Sequence, residues 1–292
     1  MKKAKISGTI YGITGAAAYG TNPLFAKYLF MGGIGVNSVL FYRYFIGAII
    51  FYIWIKLYKK ISLKINLKEG FALFSMGLFF SLSSITLFKS YQYIDIGIAS
   101  TLLFIYPVIV AVFMSVFFKE KLTANIIGAI VLTTLGTIFL YKGDNGTTLN
   151  FTGIILVIVS AFMYTSYMIG IKKIPVLKRM NTDKLSFYVI FFGLLVYIYN
   201  LKFCTELQPV SSGFLWACIL GLAIIPTIIS IETTNLSIKL IGATKTSLVG
   251  ALEPVTAIFF GIVCFNEEFT LRIFCGVLAI ISGVILVIVK KK

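Results

Sequence analysis

The chain has 292 residues, of which 59% are hydrophobic and 12% charged, and its formal net charge is +16. Soluble domains average about 45–50% apolar and about 25% charged residues, so this composition excludes a water-soluble fold. The cations lie in small lysine clusters between apolar runs, with no basic face and no nucleic-acid-binding motif, which argues against nucleic acid and for membrane lipids as the partner.

Ten apolar runs follow one another at 7–30, 36–58, 69–91, 95–118, 122–141, 151–171, 182–202, 212–232, 242–264 and 270–289. A membrane helix needs about 20 apolar residues, and only helices or closed barrels satisfy backbone hydrogen bonds in lipid. The runs exceed the roughly 10-residue strands of a barrel and do not alternate apolar with polar. The expectation is an all-α membrane protein of ten transmembrane helices. The first run begins with Met1-Lys2-Lys3 and contains Ala16-Ala17-Ala18, a pattern shared with signal peptides. Its apolar character continues through Leu29 and recurs later in the chain, so it reads as a span.

With the N-terminus inside, nineteen lysines and arginines fall at the cytoplasmic ends of these runs and only four (Lys89, Lys142, Lys202 and Arg272) at the outer ends. The positive-inside rule then places both termini in the cytoplasm.

The chain also matches itself. At an offset of 145, Gly8 pairs with Gly153, Ala16 with Ala161, Tyr19 with Tyr164, Lys27 with Lys172 and Gly97 with Gly242. After a two-residue insertion, Pro107 pairs with Pro254, Phe118 with Phe265, Glu120 with Glu267, Thr123 with Thr270 and Gly136 with Gly283. Two five-helix halves, 1–143 and 151–292, follow. Five is odd, so the second half enters the membrane from the opposite side, as in the inverted repeats of secondary transporters.

The sequence resembles the drug/metabolite transporter superfamily, EamA type, over essentially its full length. The residues carrying the resemblance are Gly15-Ala16-Ala17-Ala18-Tyr19-Gly20-Thr21-Asn22-Pro23 with Lys27, Arg43, and Leu103-Phe104-Ile105-Tyr106-Pro107 leading to Lys119-Glu120-Lys121. Leu252-Glu253-Pro254 leading to Asn266-Glu267-Glu268, and Gly128, Gly136, Gly276 and Gly283, complete the pattern. The resemblance implies a 5+5 inverted repeat in a cell membrane of the bacterial inner type. It further implies a central cavity and export or exchange of small metabolites such as amino acids by alternating access; other branches carry nucleotide sugars or phosphorylated sugars. Arg43 aligns with Tyr188, so the second half lacks the matching cation, and Lys245 adds a charge near the start of helix nine.

Charges within the bilayer cost about 3 kcal/mol on insertion scales and need a reason. Lys27 and Arg43 fall in the outer half, where they either clamp a substrate carboxylate or phosphate, pair structurally, or snorkel to the headgroups. Lys245 is close enough to the edge to snorkel. Glu253 is mid-span and too short to reach either interface; it either exchanges protons or binds an amino group, or serves as a neutral hydrogen-bonding group. Its neighbour Pro254 and the paired Pro107 mark positions where helices nine and four break. Glu120 and Glu267 precede Thr123 and Thr270, which can cap the next helix, and Asp95 and Glu232 are read as span-end groups. Tyr19, Tyr106, Tyr164 and Tyr167 are candidates to line the cavity. Gly8-x-x-x-Gly12 and the small residues of helices five and ten permit close helix packing or a homodimer face.

With no histidine, no CxxC spacing and no P-loop, the chain carries no expected metal or cofactor site, and transport would run on gradients. The four cysteines read as buried, reduced packing residues. A membrane enzyme acting on lipid-linked substrates would need clustered His, Asp or Glu, which the loops lack; a non-transporting scaffold is the other alternative.

Overall fold

The computed structural model describes residues 2–94, 96–140, 150–265 and 270–288, and among these every regular element is helical. In the first half, α1 (Lys2–Tyr19) and α2 (Asn22–Met31) run end to end, and α3 (Val36–Ile53) continues as a π-helical segment to Lys59. Then come α4 (Leu67–Ser90), α5 (Ile96–Leu103), α6 (Tyr106–Phe118) and α7 (Ala124–Leu140). The second half comprises α8 (Phe151–Lys173), the short α9 (Pro175–Arg179), α10 (Thr182–Asn200) and α11 (Gly213–Ala223). A π-helical segment, Ile224–Ile229, joins α11 to α12 (Ser230–Ile241), followed by α13 (Ala243–Val249), α14 (Leu252–Phe265) and α15 (Leu271–Ile288). Six helical stretches are long and apolar enough to cross a membrane, and α6, α7 and α15 are shorter apolar helices. Large apolar side chains such as Phe74, Leu135, Phe162, Leu220 and Phe259 remain exposed on the outside of the bundle. A helix that is apolar on its outer face as well as its packed face suits lipid, and the chain is a multi-pass membrane protein.

Three helices are interrupted, and the sequence supplies one cause. Pro23 and Pro107 occupy the first turn of α2 and α6, and Pro254 is the third residue of α14. Proline lacks the amide that a helix interior needs, but in a first turn that amide has no intrahelical partner. The sequence placed breaks at Pro107 and Pro254; the structure puts them just upstream, at Phe104-Ile105 and Gly250-Ala251. Tight turns close the gaps: the amides of Thr21, Ile105 and Ala251 donate to the carbonyls of Ala18, Leu102 and Leu248 at 3.2, 3.1 and 3.2 Å. The break at Gly20-Thr21 was not anticipated. Its repeat-related helix α8 runs unbroken, with Met168 where the offset of 145 sets Pro23.

A second correction concerns the run at 212–232, which extends to Ile241, so Glu232 lies inside a helical stretch and not at its end. Asp95 and Glu267 lie outside the described residues. Thr123 and Thr270 accept hydrogen bonds from the amides of Ile126 and Ile273 at 3.4 and 3.3 Å, as capping residues do.

The lysine-rich segments gather at one end of the bundle. Lys184 donates to the Lys64 carbonyl and lies 3.8 Å from Glu69. Lys239 donates to the Met180 carbonyl, and Lys172 to the Lys239 carbonyl at 3.2 Å. Elsewhere, the Gln208 side chain accepts from the Gly35 amide, the Gln208 carbonyl accepts from Tyr42 at 2.9 Å, and Arg272 donates to the Phe139 carbonyl at 2.9 Å.

Glycines set the closest helix contacts. A β-carbon at Gly8, Gly12 or Gly15 of α1 would press on Ile241, Ser237 or Thr234 of α12 at 2.6, 2.9 and 2.5 Å. One at Gly136 of α7 would lie 2.7 Å from the Gly276 carbonyl of α15. These small-residue seams pack helix against helix within the chain. Of the cysteines, all free, Cys218 is buried and Cys204 half-buried. Cys264 and Cys275 are exposed on the apolar exterior, so the expectation of buried cysteines fails for those two.

Candidate functional site

The three interruptions meet around one cavity. Its polar lining is Tyr19, Asn22, Tyr91, Ser100, Tyr106 and Glu253, one or more from each broken helix and Tyr91 from beyond the end of α4. Leu87, Leu103, Phe104, Pro254 and Ala257 add apolar wall. No lysine or arginine is among the described lining residues.

Repeat-related residues face each other here. The Tyr106 hydroxyl lies 3.3 Å from Glu253 Oε1 and 3.4 Å from the Ser247 carbonyl. Tyr106 and Glu253 each immediately precede the proline of their half-helix. Gly250 gives way to this contact, because a β-carbon there would occupy the position of the Tyr106 hydroxyl. Likewise Gly20 abuts the Glu253 carbonyl, while Thr165, the residue that the repeat sets opposite Gly20, reaches the Tyr106 carbonyl at 3.5 Å.

Behind Glu253 and Tyr106 lies a layer of buried rings. Tyr19 stacks on Tyr164 with centroids 6.2 Å apart, Tyr106 meets Tyr164 edge-on at 5.0 Å, and Tyr164 stacks on Tyr167 at 6.1 Å. Tyr167 is fixed through its hydroxyl, which pairs with Asn235 Oδ1 at 2.7 Å, and the Asn235 amide donates to Ser186 at 2.9 Å. Of the four tyrosines singled out in the sequence, Tyr19 and Tyr106 line the cavity, whereas Tyr164 and Tyr167 back it.

Arg43 is fully buried, which replaces snorkelling by an interior anchorage. Its Nε donates to Thr227 Oγ1 at 2.5 Å and its Nη2 to the Pro226 carbonyl at 3.1 Å. Pro226 lies in the π-helical segment between α11 and α12, where its missing amide would strand a carbonyl one turn back. The Thr227 hydroxyl instead donates to the Leu222 carbonyl at 2.8 Å, so a chain of hydrogen bonds runs from Arg43 through Thr227 to Leu222. Arg43 Nη1 has no hydrogen-bond partner, and the guanidinium carbon lies 5.8 and 5.9 Å from the Tyr44 and Phe88 rings. Lys27 is half-buried on α2 and does not line the cavity; Lys245 is half-buried on α13.

Several residues were missed by reasoning from the sequence. Pro226-Thr227 carried a signal, a mid-span proline followed by a hydroxyl, that the repeat analysis passed over. Asn22 lay in plain view as Asn-Pro, a turn dipeptide set within an apolar run. Tyr91 and Ser100 carried no signal beyond polarity.

Interrupted helices enclosing a polar cavity inside an apolar bundle define a membrane transporter. A model of the EamA-like transporter family matches the chain twice, over residues 6–142 and 151–289, and the protein belongs to that family. It is similar to "Uncharacterized transporter YxxF" of Bacillus subtilis (strain 168), with 27% identity over 220 residues, 74% of this chain and 69% of the relative. A solved crystal structure shares the fold at a TM-score of 0.81 and 15% identity, covering 96% of both chains.

Proposed function

We propose that the protein is a secondary transporter that exports or exchanges small metabolites such as amino acids by alternating access. Its ten transmembrane helices form two inverted five-helix repeats, 1–143 and 151–292, in a cell membrane with both termini cytoplasmic. The observation that carries this reading is the convergence of three interrupted helices on one polar cavity through the contacts Gly20 to Glu253 and Gly250 to Tyr106. Breaks at that depth uncouple the half-helices, so either side of the cavity can close without unfolding a span. The matched contacts of Gly20 with Glu253 and Thr165 with Tyr106 support a two-fold relation between the halves, and the lysine-rich end of the bundle supports the orientation.

In this reading Glu253, Tyr106 and Tyr19 touch the substrate, and the Tyr164–Tyr167 layer closes the floor. Glu253 binds the substrate's amino group or exchanges it for a proton. Arg43 ties α3 to the π-helical segment instead of holding a substrate anion. Counterflow in proteoliposomes tests the function: a chain of this kind preloaded with an unlabelled amino acid should take up the labelled one transiently, and failure across a panel of metabolites would refute it.

A further inference from the structure

Cations gather on one edge of the lysine-rich end, where α6 and α8 finish. Lys119 follows the last residue of α6, Lys172 and Lys173 close α8, and Lys178 and Arg179 stand on α9. With Lys121, the segments 118–121 and 172–179 hold six cations against one acid, Glu120. Elsewhere at this end the charge is taken up, since Lys184 lies beside Glu69 and Lys239 is turned onto the Met180 carbonyl. None of the six cations belongs to an ion pair among the described residues. Like charges held this close repel, and a bound anion relieves them.

Lys173 joins this charge to an apolar strip. Its Nζ lies 4.3 Å from the centroid of the Phe118 ring, a cation–π contact that fixes the ammonium at the seam between the two helices. Beyond Phe118 the seam is aromatic: Phe113 lies 5.1 Å from Phe117 and 6.3 Å from Phe162. Phe117 and Phe162 are exposed on the apolar exterior, Phe117 at 67%. A surface that is cationic at the membrane edge and aromatic beneath it matches one molecule with a negative head and an apolar chain. A zwitterionic lipid would bring an ammonium into the cation cluster, and a soluble phosphate would leave the aromatic strip uncovered.

We propose that the α6–α8 seam is a binding site for an anionic phospholipid, with the phosphate on Lys119 and Lys173 and an acyl chain along Phe113, Phe117 and Phe162. α6 starts at Tyr106, in the cavity wall, and ends at Phe118, so the lipid sits at the far end of a half-helix that carries a cavity residue. The inference is independent of the substrate and of the transporter reading, because binding alone decides it.

The test uses the purified full chain in an uncharged detergent, with the melting temperature as the readout. Dioctanoyl phosphatidylglycerol should raise it at concentrations where dioctanoyl phosphatidylcholine and inorganic phosphate do not. Lys119→Gln combined with Lys173→Gln should shift that protection to at least about tenfold higher lipid concentration. Lys173→Arg keeps the charge and should keep the protection. Lys56→Gln combined with Lys60→Gln removes the same charge from another part of the chain and should leave protection unchanged. Phe117→Ala, at an exposed ring, should weaken protection without lowering the melting temperature of the lipid-free protein. Equal protection by phosphatidylcholine, equal protection by phosphate, or an equal loss in the Lys56 and Lys60 control would each overturn the proposal, as would no protection at all.

Discussion

Gly20 packs directly against the main-chain carbonyl of Glu253, with Thr256 close behind, and a β-carbon at position 20 would overlap that carbonyl. The interruption of the first helix is therefore seated on the first turn of α14, the half-helix that presents the buried carboxylate. The two elements thus bear on each other directly at the wall of the cavity.

Gly20→Ala should accordingly impair the protein through this contact. The obstacle is backbone, which cannot rotate away, so overpacking should cost about 1–3 kcal/mol. A lowered melting temperature and slower exchange are expected, whereas Gly213→Ala, which meets nothing within 4 Å, should leave both near wild type. Melting curves of the two variants side by side decide the matter.

Tyr106 and Gly250 form a second interlocked pair. Gly250→Ala should destabilise the protein, because the new methyl group would claim the place of the Tyr106 hydroxyl. Tyr106→Phe removes that hydroxyl, and the double variant should recover part of the lost stability, a coupling readable in a double-mutant cycle. Tyr106→Phe alone should fold but exchange substrate up to roughly tenfold more slowly, since it gives up the hydrogen bond to Glu253, of a kind worth about 0.5–1.5 kcal/mol.

Arg43 offers a test between anchorage and anion binding. Arg43→Gln withdraws donors from a buried Pro226 carbonyl and from Thr227, so about 1–3 kcal/mol of stability should be lost. Arg43→Lys should rescue little, because an ammonium lacks the fork that reaches both acceptors. Affinity in the folded fraction should stay within about twofold of wild type. A variant of normal melting temperature with much weaker affinity would reinstate the anion clamp.

Orientation is checked by labelling. In a background without the four native cysteines, a cysteine at Ser212 should react with an impermeant reagent in intact cells, and one at Arg179 only after the membrane is opened. Reaction at Arg179 in intact cells would reverse the topology.

Much of the fold was legible because lipid enforces simple rules. Apolar length gave a helical bundle with stretches long enough to cross a membrane, and the lysine bias gave an expected orientation. The repeat drew attention to Tyr106-Pro107 and Glu253-Pro254, residues that meet in space. What stayed hidden depended on tertiary partners. The symmetry argument implied matching breaks, yet Pro23 interrupts the first helix while Met168 leaves α8 whole. Glu232 looked terminal because a polar stretch, Glu232–Lys239, continues the helix to Ile241 inside the bundle. The partner of Arg43 could not be read from its own segment, since the acceptor is the carbonyl of a proline 183 positions away. The buried Asn22 side chain is unpaired at both ends, a property that no sequence pattern carries.

The most direct test of the central claim is two-sided access to the cavity. Ala257 lines it, and Ala257→Cys in a cysteine-free background can be probed in oriented proteoliposomes with an impermeant thiol reagent added to either side. The account predicts reaction from both sides, at rates that a bound amino acid lowers, together with loss of counterflow in step with labelling. Reaction from one face alone, or full labelling with counterflow intact, would contradict it.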